Sequence, residues 1–292
     1  MTLGNAGTVA IGDLTVPRLG YGTMRLTGPR IFGPPADRGE AVRVLRRAVE
    51  LGVRVIDTAW YYGPDVANEI LAEALRPYRD DLVIITKLGG ARRENSSWYA
   101  ALTPAELRDG CERDLRLLGL DSIPVVHLRM MPGSAAQFDD ALGALVELKA
   151  AGKIRRIGLS NVTEQQLDRA VAETEIVTVS NAYSVVDRTD DAMVERCTRD
   201  GIAYLPFFPL GASNVSADAG AARDAAVRTV AERLGATAIQ VALAWLLLRS
   251  PSVLPIPGTS STAHLEENLA AAELRLSADD AALLGGHTPL SS

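Results

Sequence analysis

Three polar residues that could act together in acid–base chemistry each lie in or directly after a short apolar run. They are Asp57, Lys87 and His127, and two adjacent tyrosines, Tyr61 and Tyr62, follow the aspartate in the stretch IDTAWYYG. A carboxylate, an ammonium, an imidazole and a phenol are all residue types that hold or move protons in enzymes. The sequence therefore predicts a catalytic site, if the fold brings these residues together.

The chemistry that this set suggests is proton donation by a tyrosine. A phenol with a pKa of about 10 is a poor acid at neutral pH, but a nearby ammonium stabilises the phenolate and lowers that pKa. Lys87 could supply the ammonium, and Asp57 could hold it in place and keep it charged. His127 could then orient a carbonyl oxygen beside the tyrosine, which would prepare the carbonyl carbon to accept hydride.

The elements that would position these residues are parallel strands alternating with helices. Eight short runs rich in β-branched residues are separated by amphipathic stretches, and they occupy residues 19–23, 53–58, 82–87, 123–128, 154–160, 175–180, 202–207 and 252–257. Near-continuous apolar strands are typical of a parallel sheet covered by helices. Eight such units favour an α/β fold of the (β/α)8 TIM-barrel type, in which the carboxyl ends of all strands meet on one face.

Local signals define other parts of the predicted fold. Residues 9–16 alternate around Gly12 and Asp13, which predicts a β-hairpin that closes the barrel bottom. Helices are predicted over 38–52, 103–119 and 226–235, the second with Pro104 in its first turn and a capping box completed by Glu106. The absence of a linker predicts one domain over 1–292, with 88–103 and 210–221 as long loops.

Composition excludes several classes of function. The chain has 30 basic and 36 acidic residues and a formal charge of -6, which argues against general binding to nucleic acid or anionic membranes. The apolar stretch 241–248 is too short to span a bilayer and no secretory signal is evident, so a soluble cytoplasmic protein is expected. Cys111 and Cys197 are predicted to be free thiols, and three scattered histidines make a metal site improbable.

Common nucleotide and hydrolase motifs are missing. Gly20 and Gly22 have the first spacing of the Rossmann fingerprint, but Arg25 occupies the place of its third glycine and no helix follows promptly. The sequence has no GxxxxGK[ST], HExxH or GxSxG pattern. A dinucleotide, if one is bound, must be held by other means.

Eight short motifs are spread over essentially the whole chain. They are LGYGTM (19–24), IDTAWYYG (56–63), ITK (85–87), VVHLR (125–129), IGLSN (157–161), NAYSVVDR (181–188), PLG (209–211) and IPGTSSTAHLEENL (256–269). In this order they resemble the aldo-keto reductases. The resemblance implies a catalytic tetrad of Asp57, Tyr62, Lys87 and His127, because the spacing D-T-A-x-x-Y-G selects the second tyrosine. Tyr61 is then a neighbour that either packs under the loop or lines the pocket.

The same resemblance implies a reduced nicotinamide dinucleotide as cofactor, NADPH with NADH as the alternative, held across the barrel top without a Rossmann fold. The implied cofactor contacts are Gly22, Thr23, Met24, Ser160, Asn161, Ser180, Phe207, Leu210, Gly211, Ser213, Gly258, Thr259, Ser260, His264, Glu267 and Asn268. Gly258 and His264 stand where NADPH-specific members carry a lysine and an arginine for the 2′-phosphate. Thr259, Ser260 and the N-terminus of a helix starting near Thr262 are the alternative phosphate site.

Residues 18–35 and 201–211 resemble a narrower bacterial branch that includes pyridoxal reductases. The implied activity is reduction of a small aldehyde or ketone, with pyridoxal as one candidate and pocket walls formed by Trp60, Tyr61, Trp98 and Phe208. Three alternatives stay open. They are a tailoring reductase for a bulky ketone or cyclic imine, a lyase that uses Lys87 as a Schiff-base amine, and a non-catalytic cofactor-sensing subunit. Neither the physiological substrate nor the oligomeric state follows from the sequence.

Overall fold

A computed structural model of the protein describes residues 3–209 and 217–285, with side chains left undescribed over 217–223. Its strands are β1 (Thr8–Ile11), β2 (Leu14–Pro17), β3 (Tyr21–Gly22), β4 (Val55–Asp57), β5 (Val83–Leu88), β6 (Gly90–Arg92), β7 (Trp98–Ala100), β8 (Val125–Arg129), β9 (Ile157–Ser160), β10 (Ile176–Ser180) and β11 (Ala203–Tyr204). Its α-helices are α1 (Arg38–Glu50), α2 (Val66–Leu75), α3 (Pro104–Leu118), α4 (Phe138–Ala150), α5 (Glu164–Glu173), α6 (Asp191–Asp200), α7 (Ala217–Leu234), α8 (Ala238–Arg249), α9 (Thr262–Ala270) and α10 (Ala278–Leu283).

Seven parallel strands form one curved sheet in the order β11, β10, β9, β8, β5, β4 and β3. They correspond to the first seven strands predicted from the sequence, and helices separate most of them along the chain. Since all seven run in the same direction, their carboxyl ends lie at one end of the sheet. Asp57, Lys87 and the end of β8 are therefore brought to the same region.

The eighth predicted strand closes the ring without forming a regular strand. On one side, the N–H of Leu254 donates to the carbonyl of Tyr204 at 2.8 Å, and on the other the N–H of Gly20 donates to the carbonyl of Pro255 at 2.9 Å. Pro255 and Pro257 have no N–H to donate back toward β3, so the ladder is incomplete there. The barrel is thus confirmed, while the prediction of a regular eighth strand is wrong.

The N-terminal hairpin closes the end of the barrel opposite the strand carboxyl ends. Strands β1 and β2 pair antiparallel around Gly12 and Asp13, as predicted. Ile11 and Val16 are buried in one apolar cluster with inward-facing residues of the barrel strands, including Val83 and Val125. This cluster is the inner core of the barrel, and it leaves the opposite end available for a site.

One predicted helix agrees with the sequence reading, and one predicted loop differs from it. Helix α3 begins as expected, with a complete capping box between Thr103 and Glu106, and it ends at Gly119 with φ of 63°. The stretch 88–103, predicted to be a loop, contains the antiparallel pair β6 and β7. Aromatic residues at 98 and 99 favour that extended pairing over an irregular loop.

Cys111 and Cys197 are both buried free thiols, as predicted. Over 3–209 and 217–285, no three His, Cys, Asp or Glu side chains lie where they could hold a metal ion together. No single helix within those ranges is long and apolar enough to cross a membrane. Residues 224–234 and α8 together have the length and composition of a membrane span, but the two helices meet at a bend of 102°.

Candidate active site

A cavity of about 580 Å³ opens at the carboxyl ends of the barrel strands. The predicted site residues that line it are Gly22, Met24, Asp57, Tyr61, Tyr62, Lys87, Trp98, Phe207, Phe208, Gly258, Thr259, His264, Glu267 and Asn268. They come from opposite sides of the barrel mouth, so the cavity extends from the strand ends to α9. Leu210, Gly211 and Ser213 lie outside the described residues.

The floor of the cavity contains a buried ion pair. The Nζ of Lys87 donates to Oδ1 of Asp57 at 2.5 Å and to the carbonyl of Thr58 at 3.2 Å, and the two charged side chains are 2% and 5% exposed. Burial alone would lower the pKa of Lys87, but the charge of Asp57 and the hydroxyl of Tyr62 outweigh it and raise that pKa above the usual value for lysine. The ammonium is consequently charged at neutral pH.

Tyr62 lies directly beside this ammonium. Its ring centroid is 5.1 Å from the Nζ of Lys87, and the residue is 7% exposed, with its surface open to the cavity. The structure thus brings Asp57, Lys87 and Tyr62 together as three contiguous groups. A charged ammonium in this position would stabilise the tyrosinate that forms when a proton is passed to a substrate.

Tyr61 occupies the centre of an aromatic cluster. Its ring makes edge contacts with Trp60, Tyr62 and Trp98 at centroid distances of 5.7, 5.4 and 5.6 Å. The residue is fully buried, and its hydroxyl has no hydrogen-bond partner among the described residues. Burial raises the pKa of Tyr61 well above the usual value. Both readings from the sequence apply, because Tyr61 packs under the loop and its ring also borders the cavity.

Trp60 is not part of the cavity wall, contrary to expectation. Its ring faces α3, where the guanidinium of Arg113 lies 4.6 Å from the ring centroid. Gly110 of the same helix leaves room for the indole edge, because a Cβ there would come within 3.1 Å of its Nε1. Trp60, which the sequence reading assigned to the substrate pocket, therefore packs against α3.

His127 does not line the cavity, so its place in the tetrad stays a prediction. It is fully buried inside the barrel, and its Nε2 lies 2.8 Å from Oγ1 of Thr178. Burial lowers the pKa of His127 well below the usual value, and the charges of Lys87 and Arg129 lower it further, so the ring is neutral. Arg129, two residues later on the same face of β8, lines the cavity instead.

The expected carboxamide contacts lie just behind the cavity wall. The hydroxyl of Ser160 accepts a hydrogen bond from Nη1 of Arg129 at 3.3 Å, and the side chain of Asn161 donates to the carbonyl of Met130 at 2.9 Å. The hydroxyl of Ser180 is buried and has no partner in the described part of the chain. Thr23 is fully buried and bonds to Thr58, so it too is absent from the wall. These four cofactor assignments stay predictions.

The far side of the cavity contains the predicted phosphate and adenine contacts. A Cβ at Gly258 would lie 2.5 Å from the carbonyl oxygen of Gly22, so only glycine allows the two backbones to approach this closely. Ser260 is exposed and outside the wall. The first N–H of α9, from Thr262, donates to the carboxylate of Glu40 at 3.0 Å. This carboxylate already occupies the helix N-terminus that the sequence reading offered to a phosphate.

Two arginines in the wall were missed by the sequence reading, Arg25 and Arg129. Arg129 could have been found by counting alternate residues from His127 along the strand, since both then face the barrel interior and the later one is nearer the mouth. Arg25 follows Met24, and its side chain lies beside Gly258. A Cβ at that glycine would be 3.6 Å from Cγ of Arg25. No local sequence signal points to that contact.

A buried chain of hydrogen bonds supports the floor of the site. The hydroxyl of Thr58 donates to Asn68 at 2.7 Å, and Asn68 and Thr86 both donate to the carboxyl of Asp114, at 2.6 and 2.8 Å. All four side chains are fully buried. Burial raises the pKa of Asp114 from 3.8 to about 7, against the lowering effect of Thr86 and Asn68. The chain connects α3 to Thr58, whose carbonyl holds Lys87.

This raised pKa makes stability depend on pH. The folded protein binds the Asp114 proton more tightly than the unfolded chain does, so the free energy of unfolding falls as pH rises between the two pKa values. We expect the free energy of unfolding of the wild type to fall by about 3 kcal/mol between about pH 5 and about pH 8. The Asp114→Asn variant should not show this fall. Denaturant unfolding at several pH values measures it. Asp109→Asn, an exposed residue of the same helix, is the control and should follow the wild type. Parallel curves for Asp114→Asn and the wild type would contradict the assignment.

Comparison with known proteins agrees with this geometry. The Aldo/keto reductase family model matches residues 18–288. The chain belongs to the aldo/keto reductase family, and it is an oxidoreductase of the kind that uses a nicotinamide cofactor.

Particular relatives cover nearly the whole chain. It is 48% identical over 287 residues to pyridoxine 4-dehydrogenase of Escherichia coli K12, covering 97% of this chain and 98% of that protein. It is 39% identical over 274 residues to an uncharacterized oxidoreductase of Schizosaccharomyces pombe, covering 94% and 87%. Among solved structures, an aldo-keto reductase from Klebsiella pneumoniae in complex with NADPH superposes with a TM-score of 0.77 at 28% identity, covering 95% of this chain and 93% of that one.

Proposed function

We propose that the protein is an NADPH-dependent reductase of aldehydes, with Tyr62 as proton donor and a small aromatic aldehyde of the pyridoxal type as substrate. The observation that carries the proposal is the buried Asp57–Lys87 pair beside Tyr62, at the floor of a cavity that continues to α9. The residues present also fit the cofactor. The close approach of the backbones at Gly22 and Gly258 leaves no side chain in that part of the wall, and the unpartnered hydroxyl of Ser180 lies at the end of β10, where the carboxamide is expected.

The chain's own residues account for the proton in this reaction. When bound, the cofactor supplies hydride to the carbonyl carbon. Tyr62 donates its proton to the carbonyl oxygen, and the charge of Lys87 stabilises the tyrosinate that remains. Asp57 keeps Lys87 protonated. The same pair disfavours the Schiff-base lyase, since a protonated amine that donates to a carboxylate and a carbonyl is a poor nucleophile.

The substrate class follows from the cavity wall and from the relatives. The cavity wall includes aromatic and aliphatic side chains, among them Trp98, Phe208, Ile31 and Leu243. Flat apolar surfaces of this kind suit an aromatic ring. The relative that is 48% identical is named for oxidation of pyridoxine at its 4 position, and the reverse reaction reduces pyridoxal.

A substrate screen tests the proposal. The purified protein is mixed with NADPH and, separately, with pyridoxal, simple aliphatic aldehydes, ketones and cyclic imines, and the loss of NADPH absorbance is followed. We expect the highest kcat/KM with pyridoxal. A preference for ketones or imines would favour the tailoring reductase over the aldehyde reductase. NADPH binding without reduction of any substrate would favour the cofactor-sensing subunit.

We propose that Arg25 provides the positive charge for the 2′-phosphate that Gly258 does not provide. Arg25 has no hydrogen bond or ion pair to any described residue, and it lines the cavity together with Thr259 and His264. Arg25→Met should raise KM for NADPH by about tenfold, the loss of one charge-assisted hydrogen bond, and leave KM for NADH nearly unchanged.

Steady-state kinetics with both cofactors measures this effect. Arg116→Met, an exposed residue of α3 far from the cavity wall, is the control. If the phosphate binds the α9 N-terminus instead, Arg25→Met will have no effect, and Glu40→Gln will strengthen NADPH binding by removing the carboxylate from that N-terminus.

A further inference from the structure

Arg129 borders the cavity at the end of β8, the strand from which the sequence predicted that His127 would reach it. It is the last residue of β8, and its half-buried side chain lines the cavity with Asp57, Tyr62 and Lys87. Its guanidinium lies 5.4 Å from the ring centroid of Phe207. It therefore borders the same cavity as Tyr62 and Lys87.

The guanidinium is oriented but not neutralised by its surroundings. Its Nη1 donates to Oγ of Ser160 at 3.3 Å, and no carboxylate in the described ranges forms an ion pair with it. Guanidinium has five N–H donors, so most of them stay available for an acceptor in the cavity. The bond to Ser160 and the ring of Phe207 are the contacts that position the guanidinium at the cavity wall.

His127 does not line the cavity. Its ring is fully buried, its Nε2 is engaged with Thr178, and a Cβ at Gly158 would come within 2.4 Å of its Cδ2. The ring is thus packed tightly in the barrel interior, one inward-facing position below Arg129 on the same strand. Of these two inward-facing residues of β8, Arg129 is the one that reaches the cavity.

We propose that Arg129 is a catalytic residue that donates hydrogen bonds to the substrate carbonyl oxygen and holds it beside the hydroxyl of Tyr62. This inference rests on the proposed reductase function. As the carbonyl carbon gains hydride, the π electrons of the C=O bond move to the oxygen, and the fixed positive charge of Arg129 stabilises them. The proton that completes the alcohol comes from Tyr62, because a guanidinium stays protonated in proteins.

The first test compares substitutions at the two neighbouring inward positions of β8. Removing one preorganised donor to a developing oxyanion costs about 100-fold or more in kcat, so Arg129→Met should lose that factor with an uncharged aldehyde. Its NADPH affinity is measured alongside, because Arg129 contacts Ser160 and Phe207, two implied cofactor residues, and a loss confined to that affinity would overturn the proposal. Arg129→Lys should recover part of kcat, since it restores the charge without the planar fork. Arg116→Met is the matched control.

His127→Asn distinguishes this proposal from the expected tetrad. It should keep most of kcat per folded molecule, with folding checked by circular dichroism and thermal unfolding. If His127→Asn loses as much kcat as Arg129→Met, or if Arg129→Met keeps wild-type kcat, the proposal is overturned. A rise in KM confined to acidic aldehydes, with kcat unchanged, would make Arg129 a specificity residue and would also overturn it.

Binding of benzoate gives a second readout that does not depend on turnover. A carboxylate presents oxyanion charge to the same donors, so calorimetry with benzoate and NADP⁺ should show binding to the wild type that is lost in Arg129→Met and retained in Tyr62→Phe. If none of the aldehydes tested supports NADPH oxidation by the wild type, the proposed function fails. Benzoate binding would still decide whether Arg129 holds an oxyanion in the cavity. Equal benzoate affinity in the wild type and Arg129→Met would overturn the proposal.

Discussion

Tyr62→Phe is expected to lower kcat by about 1,000-fold, while the affinity for NADPH stays nearly unchanged. The substitution removes only the hydroxyl that donates the proton, and positioned proton transfer contributes roughly 10²- to 10⁴-fold to rate. The ring would still pack against Tyr61 at the edge contact seen now. Stopped-flow measurement of NADPH oxidation gives kcat, and quenching of protein fluorescence gives cofactor affinity.

The adjacent tyrosine provides a matched comparison. Tyr61→Phe removes the same atom from the next ring, and that hydroxyl has no hydrogen-bond partner among the described residues. We expect a much smaller loss of kcat than for Tyr62→Phe, because only the second tyrosine lies against the ammonium of Lys87. Equal losses in the two variants, or near-wild-type kcat in Tyr62→Phe, would refute the assignment of the donor.

Asp57→Asn is expected to lower the free energy of unfolding by about 3 to 5 kcal/mol, the usual result of removing one partner of a buried ion pair. Lys87 is only 2% exposed, so its ammonium would be left buried without a counter-charge. The pKa of Lys87 should fall as well, since the charge of Asp57 is what raises it against burial. Turnover should drop, because a neutral amine no longer stabilises the tyrosinate.

The double variant Asp57→Asn with Lys87→Met separates stability from catalysis. Removing both charges eliminates the unpaired ammonium, so most of the lost free energy of unfolding should return, whereas kcat should stay low. Urea unfolding followed by circular dichroism measures the first quantity, and NADPH oxidation measures the second. An Asp57→Asn variant with wild-type stability would show that the pair does not stabilise the fold, and wild-type kcat in the double variant would remove the pair from the mechanism.

Much of the fold was predictable because its signals are local. The buried parallel strands are apolar on both faces, and α3 carries its start signals in Thr103, Pro104 and Glu106. The eighth strand was only partly predictable. Its apolar run indicated its place in the barrel, but Pro255 also meant that it could not complete a ladder with β3.

The sequence by itself determined the barrel, the family and the group of Asp57, Tyr62 and Lys87. These follow from local periodicity and from short motifs, which do not depend on how strands are staggered. Only the tertiary structure decided that His127 lies too deep to border the cavity, and that Trp60 faces α3. Alternation along a strand says which side chains point inward, but the depth of each in the barrel depends on its pairing with neighbouring strands. Contacts between distant segments set that depth, as when Glu40 reaches the first turn of α9.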